Sequence, residues 1–192
     1  SGKLFKVARE TSQSFETVAK AAEEFSRQGL GAVETAKRKR DAMILVRLTG
    51  LEAAKSVELL TAAVNTFGKT GADTTTIINK LVAVDQNFAV STRDIAEAMA
   101  RVGSVVDDAG VSLDQFAGLV TAAKQITSRD GAVIGNSLKT IFTRLERSST
   151  QEQIEALGVS MRDLNGEMLP TLKIFQNLAQ AYTGFSRAQQ QQ

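Results

Sequence analysis

Apolar residues recur at helical spacing along nearly the whole chain, and the pattern is interrupted about every twenty residues. Phe15, Val18, Ala22 and Phe25 step by three and four, as do Ala53, Val57, Leu60, Val64 and Phe67. The same spacing joins Ile95, Met99, Val102 and Val106, then Ile134, Leu138, Ile141 and Leu145, and finally Leu172, Phe175, Ala179 and Tyr182. Each set lays one apolar stripe along one helical face. Alternation of period two, the mark of a half-buried strand, is almost absent. The chain is therefore expected to be all-α.

The interruptions are Gly29–Gly31, Gly50, Gly68–Gly71, Ala89–Ser91, Gly110 and Gly131. Several precede N-cap chemistry: Ser91 with Asp94, Ser112 with Gln115 and Ser149 with Glu152 have capping-box spacing, and Asp73 can cap a helix from Thr74. A glycine in the left-handed conformation ends one helix, and the capping residue begins the next. This predicts eight or nine helices of about 12–20 residues joined by tight turns. Short turns favour antiparallel neighbours, so the architecture is a multi-helix bundle or an irregular stack of short antiparallel helical hairpins. The units do not share side chains at matching positions, which argues against a solenoid. A helical region over 1–184 is expected, with sub-units 1–71 and 72–184, and Gln189 to Gln192 mark 185–192 as a polar tail or linker. The stretch 158–168 departs from the helical rule, because Asn165-Gly166 sits between short apolar positions and predicts a small β-turn or two-stranded ribbon. Pro170, the only proline, then opens the last helix at a first-turn position.

Aromatic residues make up only 5%, with no Trp and a single Tyr, so Leu, Ile, Val, Ala and nine Phe must build the core. The chain has no Cys and no His. That removes disulfides, Cys and His metal sites, Ser–His and Cys–His nucleophile pairs and imidazole acid–base chemistry. No cofactor, metal or catalytic residue is expected, and no small-molecule substrate. No apolar run approaches the roughly 18–20 residues that span a bilayer, and no secretory signal pattern is present. A start at Ser1 in place of Met fits a chain processed, tagged or cut from a longer protein.

Two segments are candidate sites. Lys37, Arg38, Lys39 and Arg40 form a basic run that could meet phosphates. Four consecutive helical residues sweep about 300° around the axis, however, so they make no single basic face. Glu34 and Asp41 lie within reach for pairing, and no aromatics are interleaved for base stacking. A solvated helix surface is the plainer reading. Met43, Ile44, Leu45 and Val46 are apolar on all sides of one helical turn, which fits either a helix buried on two sides or a subunit interface. The acidic pairs Asp107-Asp108 and Glu23-Glu24 diverge by about 100° on a helix and do not converge for catalysis.

From about Phe15 to Tyr182 the chain resembles the helical region of tail tape measure proteins of long-tailed bacteriophages and prophages. The most specific stretch begins with Asn87-Phe88-Ala89-Val90-Ser91, followed by Ile95-Ala96-Glu97-Ala98-Met99. Gly110-Val111-Ser112-Leu113-Asp114-Gln115-Phe116 resembles the next turn and cap. Ser137 to Leu145 resembles a helix of the pattern Leu-x2-hydrophobic-x2-Arg-Leu. Leu157-Gly158-Val159 with Asp163-Leu164-Asn165-Gly166 resembles the segment that follows. Phe15 to Gly71 matches more loosely.

The resemblance implies a virion structural role: tail assembly, tail-length determination through chain length, anchoring at the tail tip and a part in genome ejection. It implies location in the tail lumen or tip, and in the host cytoplasm during assembly. The implied partners are further copies of itself, tail tube and tail-tip proteins, and transient DNA or host membrane; no enzyme residues transfer. The alternatives are a nucleic-acid-binding helical module using Lys37 to Arg40, or a membrane-active segment using its apolar faces. As a single helix, 192 residues would reach roughly 290 Å. Turns every twenty residues argue instead for a folded module, with any coiled-coil ruler outside it.

Overall fold

A computed structural model describes residues 2–27, 32–67, 73–88, 90–103 and 105–184. Among these residues every element longer than an isolated bridge is helical, so the fold is all-α. In chain order the helices are α1 (Gly2–Thr11), α2 (Phe15–Arg27), α3 (Ala32–Thr49), α4 (Ala53–Phe67), α5 (Thr74–Asn87) and α6 (Thr92–Val102). They continue as α7 (Val105–Asp108), α8 (Leu113–Thr127), α9 (Gly131–Leu145), α10 (Ser148–Ala156) and α11 (Thr171–Tyr182). The glycine breaks 29–31 and 68–71, the 71/72 boundary and the 185–192 tail lie outside the described residues.

Among the described residues, eleven helices of 4 to 18 residues replace the expected eight or nine longer ones. One cause is Gly103, which takes φ +58° and ends α6 after Val102. Val106 therefore sits in the four-residue α7, yet it remains buried in line with Ile95 and Met99. Gly110 (φ +65°) turns the chain again, and the Val111 amide reaches back to the Val106 carbonyl at 3.1 Å.

The caps behave largely as their spacing indicates. Ser91–Asp94 and Ser112–Gln115 form reciprocal capping boxes, and the Asp73 carboxylate accepts the Thr76 amide. Two details differ. Helix α10 starts two residues earlier than the Ser149–Glu152 pair requires, behind Arg147, with no side-chain cap. The Arg147 carbonyl already takes the Thr150 and Gln151 amides, leaving Ser149 inside the first turn. Pro170 is the cap itself, not the first helical residue, and its carbonyl accepts Lys173 and Ile174.

One continuous core runs from Ala8 to Phe142 and crosses the expected sub-unit boundary. Phe25, Met43, Leu45, Leu59 and Leu60 fill it among α2, α3 and α4; Ile77 and Leu81 extend it from α5. Phe67 meets Phe116 of α8 with ring centroids 6.4 Å apart. Some stripes are rotated from their sequence register. Phe15 is 40% exposed while Ala21 is buried, and Phe142 takes the core position beside Leu138 so that Ile141 faces outward. On α11 only Ile174 is fully buried, with Phe175 stacked on Phe142 at 6.2 Å and Tyr182 exposed.

The 158–168 stretch does form a small ribbon, a single antiparallel bridge between Arg162 and Met168. Gly166 takes φ +84° at the turn, and the Asp163 carboxylate accepts the amides of Asn165 and Glu167. Val159 and Met161 anchor the ribbon by burial, while Leu164 at its tip is fully exposed.

Candidate functional site

The tightest helix–helix contact among the described residues also shapes a broad cleft. Helix α9 begins Gly131-Ala132-Val133-Ile134-Gly135, and its two glycines, four apart, lie on one face. A Cβ at Gly135 would stand 2.5 Å from the Ala98 carbonyl oxygen and 2.7 Å from the Ala98 Cα. A Cβ at Gly131 would collide with the Asp94 carbonyl, 2.6 Å from its carbon. Helix α6 thus lies backbone to backbone on α9, with Asp94 and Ala98 seated on the glycines. Gly131 is accordingly not a helix terminator. Ser128 makes the left-handed turn at φ +53°, and Asp130 caps α9 by accepting the Val133 amide.

Asp94 ties the seam together. Its side chain is 13% exposed and accepts the Ser91 amide and hydroxyl on one oxygen. The other oxygen accepts Lys124 of α8 at 2.9 Å and the Gly131 amide at 3.1 Å. Burial works to raise its pKa, but the hydrogen bonds from Lys124 and Ser91, with the charge of Lys124, hold it below the ordinary aspartate value. One carboxylate therefore caps α6, pairs with α8 and orients the start of α9.

The other side of α6 forms one wall of a cleft of about 790 Å³, whose opposite wall is α4. Leu51, Leu59, Ala96 and Ala132 give it an apolar floor. Its rims are charged: Glu52, Lys55 and Glu58 on the α4 side, Arg93, Glu97 and Arg101 on the α6 side. Lys55 pairs with Glu58 within its own helix at 3.0 Å. Arg93, Glu97 and Arg101 make no ion pair among the described residues.

The basic run and the apolar turn are both on α3. Lys37 and Arg40 are exposed, Arg38 and Lys39 half-buried. Arg40 stands 3.8 Å from Glu10 of α1, and Lys37 lies near enough to Asp73 to help lower its pKa, behind the Thr76 amide. The Glu34 side chain lies outside the described residues. Asp41 is buried and accepts the Thr74 hydroxyl. Met43 and Leu45 are fully buried in the core, with Ile44 and Val46 half-buried against it. Glu23 and Glu24 both pair with Arg27, at 2.7 and 3.5 Å. Among the described residues no three Asp or Glu side chains gather to hold a metal, and no helix is long and apolar enough to cross a membrane.

Sequence spacing pointed to neither the glycine seam nor the charged cleft. The signal for the seam was present as two glycines four apart within a helical stripe, a spacing that marks close backbone approach as readily as a break. The cleft depends on which two helices become neighbours, which no local pattern encodes.

Caps, core and cleft together describe an all-α segment built for packing, with no cluster of reactive side chains among the described residues. The chain belongs to the phage-related minor tail protein family, whose model matches residues 4–192. The tape measure protein of Pneumococcus phage Dp-1 is 24% identical over 182 residues. That alignment covers 94% of this chain but 15% of the relative's length. No solved structure matches. The tape measure resemblance read from the sequence agrees with both findings, and the family gives the chain a structural role in a phage tail and a place in the virion. It is a family of structural proteins, not one known for an enzyme.

Proposed function

We propose that this chain is a folded module of a tape measure protein, which anchors or initiates the assembly of a ruler lying outside it. On this reading the whole protein sets tail length through its chain length, occupies the tail lumen or tip, contacts tube and tip proteins and further copies of itself, and takes part in genome ejection. The observation that carries the reading is the brevity of the helices. The longest described, α3, has 18 residues and measures about 27 Å, against roughly 290 Å for the whole chain as one helix. A segment that turns at the end of each short helix cannot measure distance in proportion to its length. On α3, Ile44 and Val46 are the members of the apolar turn left half-buried for a subunit contact.

Tail length measured by electron microscopy tests this. In-frame deletions in the helical sequence outside this module should shorten tails by about 1.5 Å per residue removed. Deleting residues 1–192 should instead abolish tails of defined length. Normal tails shortened by roughly 290 Å would show that the segment is part of the ruler and overturn the proposal.

A further inference from the structure

We propose that the cleft between α4 and α6 is a two-fold contact surface for a second copy of this chain. Its two rims carry complementary orders of charge. The α4 rim reads Glu52, Lys55, Glu58, or minus, plus, minus; the α6 rim reads Arg93, Glu97, Arg101, or plus, minus, plus. Each order is the complement of the other, and each reads the same in both directions, so the match does not depend on helix polarity. Along the helix axes the triplets span about 9 and 12 Å, a difference that long Lys and Arg side chains absorb. Within one copy the triplets flank an open cleft, and no ion pair crosses it among the described residues. Five of the six side chains are exposed, and Glu97 is half-buried.

Both complementary rims lie on the same face, so a second copy turned by a two-fold axis sets its α4 rim on the first copy's α6 rim, and the reverse. The two triplets sum to zero charge, so the face does not repel itself. The remaining acidic residues of the lining are already engaged: Asp94 with Lys124, and Asp130 as the α9 cap. Lys20 of α2 lies near Glu52 but is paired with Glu16 at 2.9 Å, so it leaves the charge order of that rim unchanged. Leu51 and Leu59 are already buried in the fold, so the apolar area left for contact comes from Ala96, Ala100 and Ala132, and the charged rims set orientation.

The inference deepens the self-association in the reading above, and its test is separate from it. A charge swap, followed by sedimentation velocity of the purified protein over a concentration series, decides it. The unmodified protein should dimerise, and 1 M salt, with a screening length of about 3 Å, should weaken the dimer. R93E/R101E alone and E52K/E58K alone should each lose it. An equimolar mixture of the two should restore a one-to-one dimer, because each reversed rim then meets its complement. A monomeric unmodified protein, an assembly unaffected by either variant, or a mixture that stays apart overturns the proposal. Should a reversal variant lose its helical circular dichroism, R93Q/R101Q replaces it, with at least a tenfold weaker dimer expected and unchanged affinity counting against. None of these outcomes alters the tail-length result expected from deletions.

Discussion

Around α3 the helices are held apart by the side chains that fill the space between them; between α6 and α9 they come together because two positions carry none. Phe25, Met43, Leu45 and Leu60 are fully buried and interlock α2, α3 and α4. At the seam Gly131 and Gly135 let the α6 backbone rest on α9. The first arrangement stores its stability in volume and can repack when volume is conserved. The second is fixed by backbone atoms that cannot move aside without parting the helices. Because α6 also forms a wall of the charged cleft, the rigid seam sets the position of the surface proposed to meet a second copy.

The largest effect should come from emptying the side-chain region. Leu60→Ala is expected to cost about 3 kcal/mol, through lost transfer energy and the cavity left behind. Leu60→Met, which keeps the volume, should cost less than about 1.5 kcal/mol. Urea midpoints at unchanged slope would measure both. Equal losses for the two would mean that this region is as unyielding as the seam, and the contrast would fail.

The seam should respond in the opposite sense to size. Gly135→Ala adds one methyl and improves helix propensity by about 1 kcal/mol, yet it should destabilise by about 2 kcal/mol net because of the contact with Ala98. Gly118 is exposed in the middle of α8, and a Cβ added there would meet no atom within 4 Å. Gly118→Ala should therefore stabilise by about 0.5–1 kcal/mol. The pair separates propensity from packing within one protein. Stabilisation by both substitutions would show that α6 can retreat from α9 at little cost.

The two regions were also unequally legible in the sequence. The caps at Asp73, Ser91 and Ser112 could be read because they depend on residues three positions apart, and the stripe from Ala53 to Phe67 because burial follows the helical period. The Asp130 cap, by contrast, is masked by its neighbour Gly131, which has the look of a terminator although its role is close approach. Register within stripes was hidden where two apolar residues compete, as Ile141 and Phe142 do; the larger ring took the core and met Phe175. Asp94 was legible as half of a capping box. Its second oxygen was not, because Lys124 and Gly131 lie 30 and 37 residues away and meet it only once α8 and α9 have docked.

That second oxygen gives the seam a pH dependence. Asp94 titrates below the ordinary aspartate value of 3.8, so its contribution is present at neutral pH, above the unfolded value. It is lost as pH falls below about 4 and through the lowered folded value. Asp94→Asn should therefore cost about 1 kcal/mol at pH 7, through a weaker cap and the lost Lys124 pair, and much less at pH 3. Asp73, lowered by the Thr76 amide, titrates in both proteins and cancels in the difference. A gap that stays constant between pH 7 and pH 3 would mean that the Asp94 charge does not hold the seam.

The smallest effect belongs to the surface of α3, which carries neither kind of packing. Arg40 stands 3.8 Å from Glu10 with 61% of its side chain exposed, so Arg40→Ala should change stability by no more than about 0.5 kcal/mol. The same geometry bounds the nucleic-acid reading of the basic run. Of the four, only Lys37 and Arg40 are exposed, and each already has an acidic neighbour, Asp73 and Glu10. Each phosphate contact contributes a slope of about −0.9 to log affinity against log salt, so the run should supply a slope no steeper than about −2. Titrating duplex DNA at several salt concentrations, with and without Lys37→Gln and Arg40→Gln, measures the share directly. A slope several units steeper that collapses on neutralising these two residues would restore DNA as a partner of α3. A shallow slope that the substitutions barely change leaves α3 a solvated helix, whose inward face belongs to the core through Met43 and Leu45.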